Sequence, residues 1–331
     1  MSLFSNSSHE NPLNGILLLV FALFLFAIQD VIIKYFSDQY SVLQIVFIRG
    51  IIAVGLMWWV ARLISESNQL TSRRPWLALL RGFLGFCSYT TYYLAVASLP
   101  LAEGVAIVFS APLFVTAMSA PLLREKVGPR RWSAVFAGFI GVLIIVGPTG
   151  EFQNLAVILA FIASITYASQ TIITRYLGSH DRPLSIAFNA LIVFTGASAL
   201  LSLMMAGGII SISSTHPSLV FLTRDWVLPE TIDLCLMIFL GFNGAVAFYC
   251  MSKAYCVAPA STIAPFEFTY VVWAVVFGYL FWSGIPRTTT LVGLLILIGS
   301  SIYIWARERK LQGQEVNRQQ YETADLARQN I

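Results

Sequence analysis

Five ionisable side chains, Asp30, Arg49, Arg81, Glu103 and Glu267, fall inside long apolar stretches of this 331-residue sequence, with Lys34 and Lys253 at the edges of such stretches. A charge at the centre of a bilayer costs about 3 kcal/mol or more unless it is paired or faces water, so each needs a reason to be there. Glu267 sits among aromatics in Pro265-Phe266-Glu267-Phe268-Thr269-Tyr270. A carboxyl in that low-dielectric setting can carry a proton or meet a cationic substrate. Asp30 and Lys34 are one helical turn apart; they read as a local ion pair that snorkels outward, or Asp30 stands at an outer gate. Arg49 lies too deep in its stretch to reach water and calls for a carboxylate, from the protein or from an anionic substrate group. Arg81 is shallower and within reach of lipid phosphate. Glu103 opens a helix just after Pro100, where the macrodipole alone accommodates an acid, or it lines a cavity.

Aromatic and amide side chains complete the candidate set. Tyr89, Tyr92, Tyr249, Tyr270 and Trp273 lie within apolar stretches, where they could stack on a planar ring or cradle a cation. Asn243 would hydrogen-bond another helix or a cargo molecule. Interfacial belts account for Trp58, Trp59, Trp76, Trp132 and Trp305 without invoking a site. The chemistry that is missing is as informative. His9, His180 and His216 lie in polar stretches, and Cys87, Cys235, Cys250 and Cys256 form no CxxC pair, so no metal site is expected. There is no Walker-type phosphate loop, no Ser/Lys dyad and no facing pair of aspartates, which argues against ATP drive, a cofactor and membrane-embedded catalysis.

The elements that must position these residues are ten mostly apolar runs, each about 17–22 residues and able to cross about 30 Å of hydrocarbon as a helix. They are Leu13–Ile33, Val42–Leu63, Trp76–Leu99, Leu101–Leu122, Trp132–Gly147, Leu155–Leu177, Leu184–Met205, Ile232–Lys253, Ser261–Phe281 and Thr289–Trp305. A chain that is 57% hydrophobic and 11% charged cannot present an ordinary water-facing surface. The runs lack the alternation of barrel strands, so the expected fold is an all-α integral membrane protein in a lipid bilayer.

Basic residues then set the orientation. With the N-terminus in the cytoplasm, the inner loops and tail hold Arg62, Arg73, Arg74, Arg124, Lys126, Arg130, Arg131, Arg175, Arg182, Lys253, Arg307, Arg309, Lys310, Arg318 and Arg328, while the outer loops hold Lys34, Arg224 and Arg287. Both ends are therefore expected inside. Insertion explains the net charge of +4, so nucleic acid is not an expected partner. The long connector Gly207–Glu230 would lie outside, its Ser211–Val227 portion on the membrane surface.

The sequence also repeats. Tyr92-Tyr93-Leu94-Ala95, Leu99-Pro100-Leu101-Ala102, Pro112, Leu123-Arg124-Glu125, Gly138 and Gly141 are echoed by Ser252-Lys253-Ala254-Tyr255, Ala258-Pro259-Ala260-Ser261, Pro265, Trp282-Ser283-Gly284, Gly293 and Gly299. Five spans is an odd number, so the second copy enters the membrane inverted. The expected organisation is a cytoplasmic tail 1–12, repeats 13–147 and 148–306, and a polar cytoplasmic tail 307–331. Two inverted five-helix repeats suit a secondary transporter that rocks around a midplane site. A non-transporting scaffold or sensor and a membrane-embedded enzyme are the rival classes.

Tyr93-Leu94-Ala95, Leu99-Pro100-Leu101-Ala102-Glu103, Ser110-Ala111-Pro112-Leu113, Leu123-Arg124-Glu125-Lys126-Val127-Gly128 and Gly138-Phe139-Ile140-Gly141-Val142 resemble an EamA domain of the drug/metabolite transporter superfamily. Asp30, Lys34, Arg49 and Thr174-Arg175-Tyr176-Leu177-Gly178 fit the same pattern, and the resemblance extends over residues 13–306. It departs at Gly284, where the second copy of the family often carries a Glu matching Glu125. The resemblance implies ten helices, cytoplasmic ends, a bacterial inner membrane and a central cavity lined by the first four helices of each half. It points toward the branch of S-adenosylmethionine and riboflavin carriers. The expected partner is a small zwitterionic or polar-aromatic metabolite; proton coupling and a homodimer are left open.

Overall fold

The computed structural model describes residues 12–63, 70–122, 129–146, 154–178, 181–210, 214–257, 266–267, 269–300, 302–303 and 306. Every regular element among them is a helix. In chain order these are α1 (Pro12–Phe36), α2 (Val42–Leu63), α3 (Pro75–Ser98), α4 (Leu101–Val108), α5 (Ala111–Leu122), α6 (Pro129–Val146), α7 (Leu155–Gly178), α8 (Pro183–Ala206), α9 (Pro217–Thr223), α10 (Thr231–Val257), α11 (Thr269–Trp282) and α12 (Thr288–Ser300). Five of them, α1, α2, α7, α8 and α10, are long and apolar enough to cross a membrane. The hairpin at Pro259, the Leu123–Gly128 motif and both polar tails lie outside the described residues.

The expected fourth span, Leu101–Leu122, is two helices. Proline at 112 has no N–H to offer the carbonyl of Val108, so the helical ladder breaks at Phe109–Ser110. The freed groups are met from α7: Ser164 donates to the Val108 carbonyl at 3.4 Å and shares a hydrogen bond with Ser110 at 2.8 Å. Hydrocarbon offers no water to a broken helix, so a neighbour must supply these partners.

Helix pairings occur in matched sets. The most extensive are α3 with α7 and α1 with α10; α3 with α8 is matched by α2 with α10, and α5 with α7 by α1 with α11. Pairs α2–α8 and α4–α11 map onto themselves under the same exchange of first and second halves. A further such crossing joins α6 to α12 at glycine. A Cβ at Gly141 would stand 2.8 Å from the Gly293 carbonyl oxygen, and one at Gly293 would overlap the Gly141 carbonyl. Backbones approach this closely only where side chains are absent, which is how small residues hold membrane helices together.

The connector between α8 and α10 departs from the expected surface-lying segment. Phe221 of α9 is buried in the main apolar cluster, and Ser218 shares a 2.9 Å hydrogen bond with Ser98 at the end of α3. Burying Phe221 between helices satisfies its apolar surface and docks the connector against the bundle.

Candidate functional site

The C-terminal thirds of α1 and α3 rise side by side, and one polar cluster ties them together. Tyr92 donates a hydrogen bond to Asp30 Oδ2 at 2.6 Å, and Tyr270, from the first turn of α11, donates to the same oxygen. Asp30 is buried at 3% exposure, so these two phenols replace the water its carboxylate would otherwise hold. The cluster forms the end wall of a central cavity of about 110 Å³. Its other lining residues are Leu23, Phe26, Ser88, Tyr89, Val105, Val108, Phe109, Ala111, Tyr167, Met251 and Glu267. The rings of Phe109 and Tyr270 stack across it, 5.9 Å apart.

Depth follows from helix rise. Asp30 and Tyr92 each lie six residues before the ends of their helices, about 9 Å down. Gly244 of α10 stands level with Gln29, and Met251 follows seven residues, about 10 Å, further along α10. The cavity therefore runs from Asp30 toward the end that holds the C-termini of α2 and α10.

The opposite end is closed. Lys34 donates to the carbonyl of Leu99 at 2.8 Å and to that of Val96, satisfying the last turn of α3, and its ammonium sits 5.6 Å from the Trp282 ring centre. The expected Asp30–Lys34 ion pair is thus replaced. The two side chains leave α1 toward different neighbours, because the tyrosine pair and the α3 carbonyls each offer a desolvated partner. Glu103, buried in α4, pairs with Arg287 at 3.3 Å and does not line the cavity. Tyr40 donates to Asp233 at 2.6 Å, which holds its phenol above the ordinary value of 10.0. The Gln44 amide donates to the Val227 carbonyl at 2.6 Å and accepts from the Val227 N–H at 3.2 Å. Arg224 donates to the Ser37 carbonyl at 3.1 Å.

Arg49 lies behind the cavity. It donates to the Tyr93 hydroxyl at 3.0 Å, and its guanidinium sits 5.3 Å from the Tyr93 ring centre and 5.2 Å from that of Phe194. Gln29 donates to the same hydroxyl at 2.8 Å. Neighbouring residues on α1 and α3 thus form a double wall, with Asp30–Tyr92 on the cavity side and Gln29–Tyr93 on the Arg49 side.

Of the residues singled out from sequence, Asp30, Tyr89, Tyr92, Tyr270 and Glu267 meet at the cavity. Trp273 packs against Phe24 and Phe277, with ring centres 4.9 and 6.0 Å away. Tyr249 is partly exposed beneath the Lys253 ammonium. Asn243 is buried, its amide without a hydrogen-bond partner among the described residues. Arg81 turns to α7 and donates to Thr174 Oγ1 at 3.1 Å. Gln29 and Tyr167 were missed, although a mid-span amide beside an aspartate and a mid-span tyrosine were signals of the kind used elsewhere. Among the described residues no group of His, Cys, Asp and Glu could hold a metal.

Chemically, the cavity combines two carboxyl groups with six aromatic side chains, and among the described residues no Lys or Arg lines it. Such a lining attracts cations and planar rings.

Comparison with known proteins agrees with this architecture. Residues 13–147 and 154–306 each match the model of the EamA-like transporter family. The chain is 30% identical over 316 residues to a riboflavin transporter of Vibrio cholerae, covering 94% of this chain and 99% of that protein. It is 25% identical over 306 residues to an S-adenosylmethionine uptake transporter of Rickettsia prowazekii, covering 92% and 97%. A solved crystal structure superposes with a TM-score of 0.59 at 16% identity, covering 90% of this chain and 98% of the other, which bears on the fold alone. Matches to the family over both halves place this membrane protein in the EamA-like transporter family.

Proposed function

We propose that this transporter carries a small organic metabolite combining a planar ring with a positively charged group, by alternating access and without ATP. The observation that carries the reading is the lining of the central cavity: Asp30 and Glu267 as the only charged residues among the described ones, set among Tyr89, Tyr92, Phe109, Tyr167 and Tyr270. An ammonium or sulfonium centre would exchange its water for the Asp30 carboxylate, while the aromatic rings hold the planar part. Similarity to relatives named as S-adenosylmethionine uptake transporters supports that class.

Ten spans, with α4 and α5 together forming the fourth, would be arranged as inverted repeats 13–147 and 148–306 in a bacterial inner membrane, with both termini cytoplasmic. The matched helix pairings and the asymmetry of basic residues support this arrangement. In that orientation the cavity faces inward, and the Lys34, Glu103, Tyr40 and Gln44 contacts close the outer side. Glu267, lower in the cavity, would exchange protons with the cytoplasm as cargo leaves.

A riboflavin carrier is the second reading, favoured by the relative of that name and by the aromatic lining. Riboflavin is uncharged, which separates the two. Counterflow in proteoliposomes with labelled S-adenosylmethionine and labelled riboflavin tests both, for wild type and Asp30→Asn. Exchange of S-adenosylmethionine that is lost in Asp30→Asn supports the cationic reading. Exchange of riboflavin alone, retained in Asp30→Asn, establishes the second and overturns the first. A protein that exchanges neither compound carries neither of the proposed cargoes.

A further inference from the structure

Arg49 presents a charge problem that the central cavity does not solve. It is 6% exposed, and no carboxylate among the described residues stands within 4.0 Å of its nitrogens. One of its five N–H donors reaches Tyr93, and two rings cover its faces. The wall made by Gln29–Tyr93 and Asp30–Tyr92 stands between it and the central cavity. Asp30 acts on it electrostatically through that wall but makes no hydrogen bond to it, so a counter-charge in direct contact would stabilise the buried guanidinium further.

A second, smaller cavity lies on that side. It has a volume of about 20 Å³ and is lined by Gln29, Arg49, Gly50, Ala53, Leu191, Phe194, Leu240, Gly244 and Phe248. That is room for about one water-sized particle. Gln29 also carries a buried amide oxygen without a hydrogen-bond partner, and this oxygen points at Gly244, where an added Cβ would sit 3.4 Å away.

The Tyr93 hydroxyl accepts from both Gln29 and Arg49 and is left with its own proton to place. Turning the Gln29 amide over resolves both problems. Its oxygen then accepts from the Tyr93 hydroxyl, and its NH₂ faces the small cavity. An amide NH₂ and a guanidinium then converge on one atom-sized space with apolar walls and no acceptor.

We infer that the Arg49–Gln29 pocket, between α1, α2, α8 and α10, is a binding site for a halide-sized monovalent anion. A single-atom anion fits the volume, accepts from both donors and neutralises Arg49. The carboxylate of a metabolite is too large for the space and is barred by the tyrosine wall. A second consequence rests on the cationic reading proposed for the cargo. Once cargo occupies Asp30, Arg49 loses the nearest negative charge on the other side of the wall, so anion and cargo bind cooperatively and each raises the affinity of the other by the same factor.

Bromide is the probe. The melting temperature of purified full-length protein is followed as bromide replaces gluconate at constant ionic strength, without cargo. It should rise by about 2 °C for each tenfold increase in bromide once the site begins to fill. Gly244→Ala places a methyl group against Gln29 in the cavity at an ordinary contact distance, leaving Arg49 intact. This variant should melt cooperatively and lose the bromide dependence. Crystals grown in bromide should show an anomalous peak between Arg49 and Gln29. A melt indifferent to bromide, an equal bromide response in Gly244→Ala, or a cavity holding only water in those crystals would each overturn the site. The cooperative part is read separately, as a change in cargo affinity between bromide and gluconate. If bromide binds and cargo affinity stays constant, the anion site stands and the cationic reading of Asp30 falls.

Discussion

Asp30 and Glu267 share a cavity, but their surroundings give them different work. Asp30 accepts hydrogen bonds from two phenols on two helices, so it reports whether α1, α3 and α11 are together. Glu267 lies lower, beside Met251 and Tyr167. Asp30→Asn keeps the shape and removes the charge, and should weaken binding of a cationic cargo at least 100-fold in equilibrium dialysis. Tyr92→Phe removes one hydrogen bond to a charged group and should cost about 2 kcal/mol of stability, read as a lower melting temperature. Glu103 behaves differently, because its partner Arg287 is 54% exposed. Solvent screening limits that pair to about 0.5 kcal/mol, so Arg287→Gln should leave the melting temperature within about 2 °C of wild type. Most of these acids and tyrosines stand out in sequence as polar groups in apolar runs. Their neighbours do not. Gln29 and Tyr167 are a mid-span amide and a mid-span tyrosine whose partners lie on other helices, and Lys34 is four residues from Asp30 yet bonds to α3.

At the level of elements, the broken helix α4–α5 and the glycine crossing of α6 with α12 carry the most specific expectations. In sequence Pro112 reads as part of a repeated motif within one continuous run, although a proline inside a helical run removes a ladder hydrogen bond. Which neighbour would satisfy the freed carbonyl could not be read there, because Ser164 is 56 residues from Val108. Ser164→Val keeps the volume close to that of serine plus one methyl and withdraws the donor; the melting temperature should fall, by about 1–3 kcal/mol in stability. At the crossing, Gly141→Ala would force a methyl into the Gly293 carbonyl at 2.8 Å, and overpacking of this kind costs about 1–3 kcal/mol. The same substitution at Gly299, where nothing lies within 4 Å, should be nearly neutral in the same thermal melts.

On the scale of the whole molecule, the connector between α8 and α10 acts as a latch across one end. Its contacts, Tyr40–Asp233, Gln44–Val227, Arg224–Ser37 and Ser218–Ser98, join segments about 120 to 190 residues apart. In the proposed orientation they hold the outer side closed. Gln44→Ala combined with Tyr40→Phe should shift the population toward an outward-open form. In a cysteine-free background, Ser98→Cys should then be labelled faster from outside by an impermeant thiol reagent. The Tyr40 contact also has a pH signature. Its phenol is held above 10.0 by Asp233 in the folded protein, so its contribution is complete below pH 10.0 and is lost as the pH rises through the higher folded value. Labelling of Ser98→Cys, corrected for reagent reactivity, should rise over that alkaline window in wild type and stay flat in Tyr40→Phe.

Composition and run length alone determined that this chain is a bundle of membrane helices, because hydrocarbon accepts only long apolar segments whose backbone bonds are internal. The duplicated Pro–Gly pattern pointed to the family, and the basic residues to an orientation. Which residues meet was decided only by the tertiary structure. Neighbours such as Tyr92 and Tyr93, or Gln29 and Asp30, lie about 100° apart around their helices. Packing three helices against one another sends one of each pair to the central cavity and the other toward Arg49. No local rule records that division, since it depends on the angle at which distant helices cross.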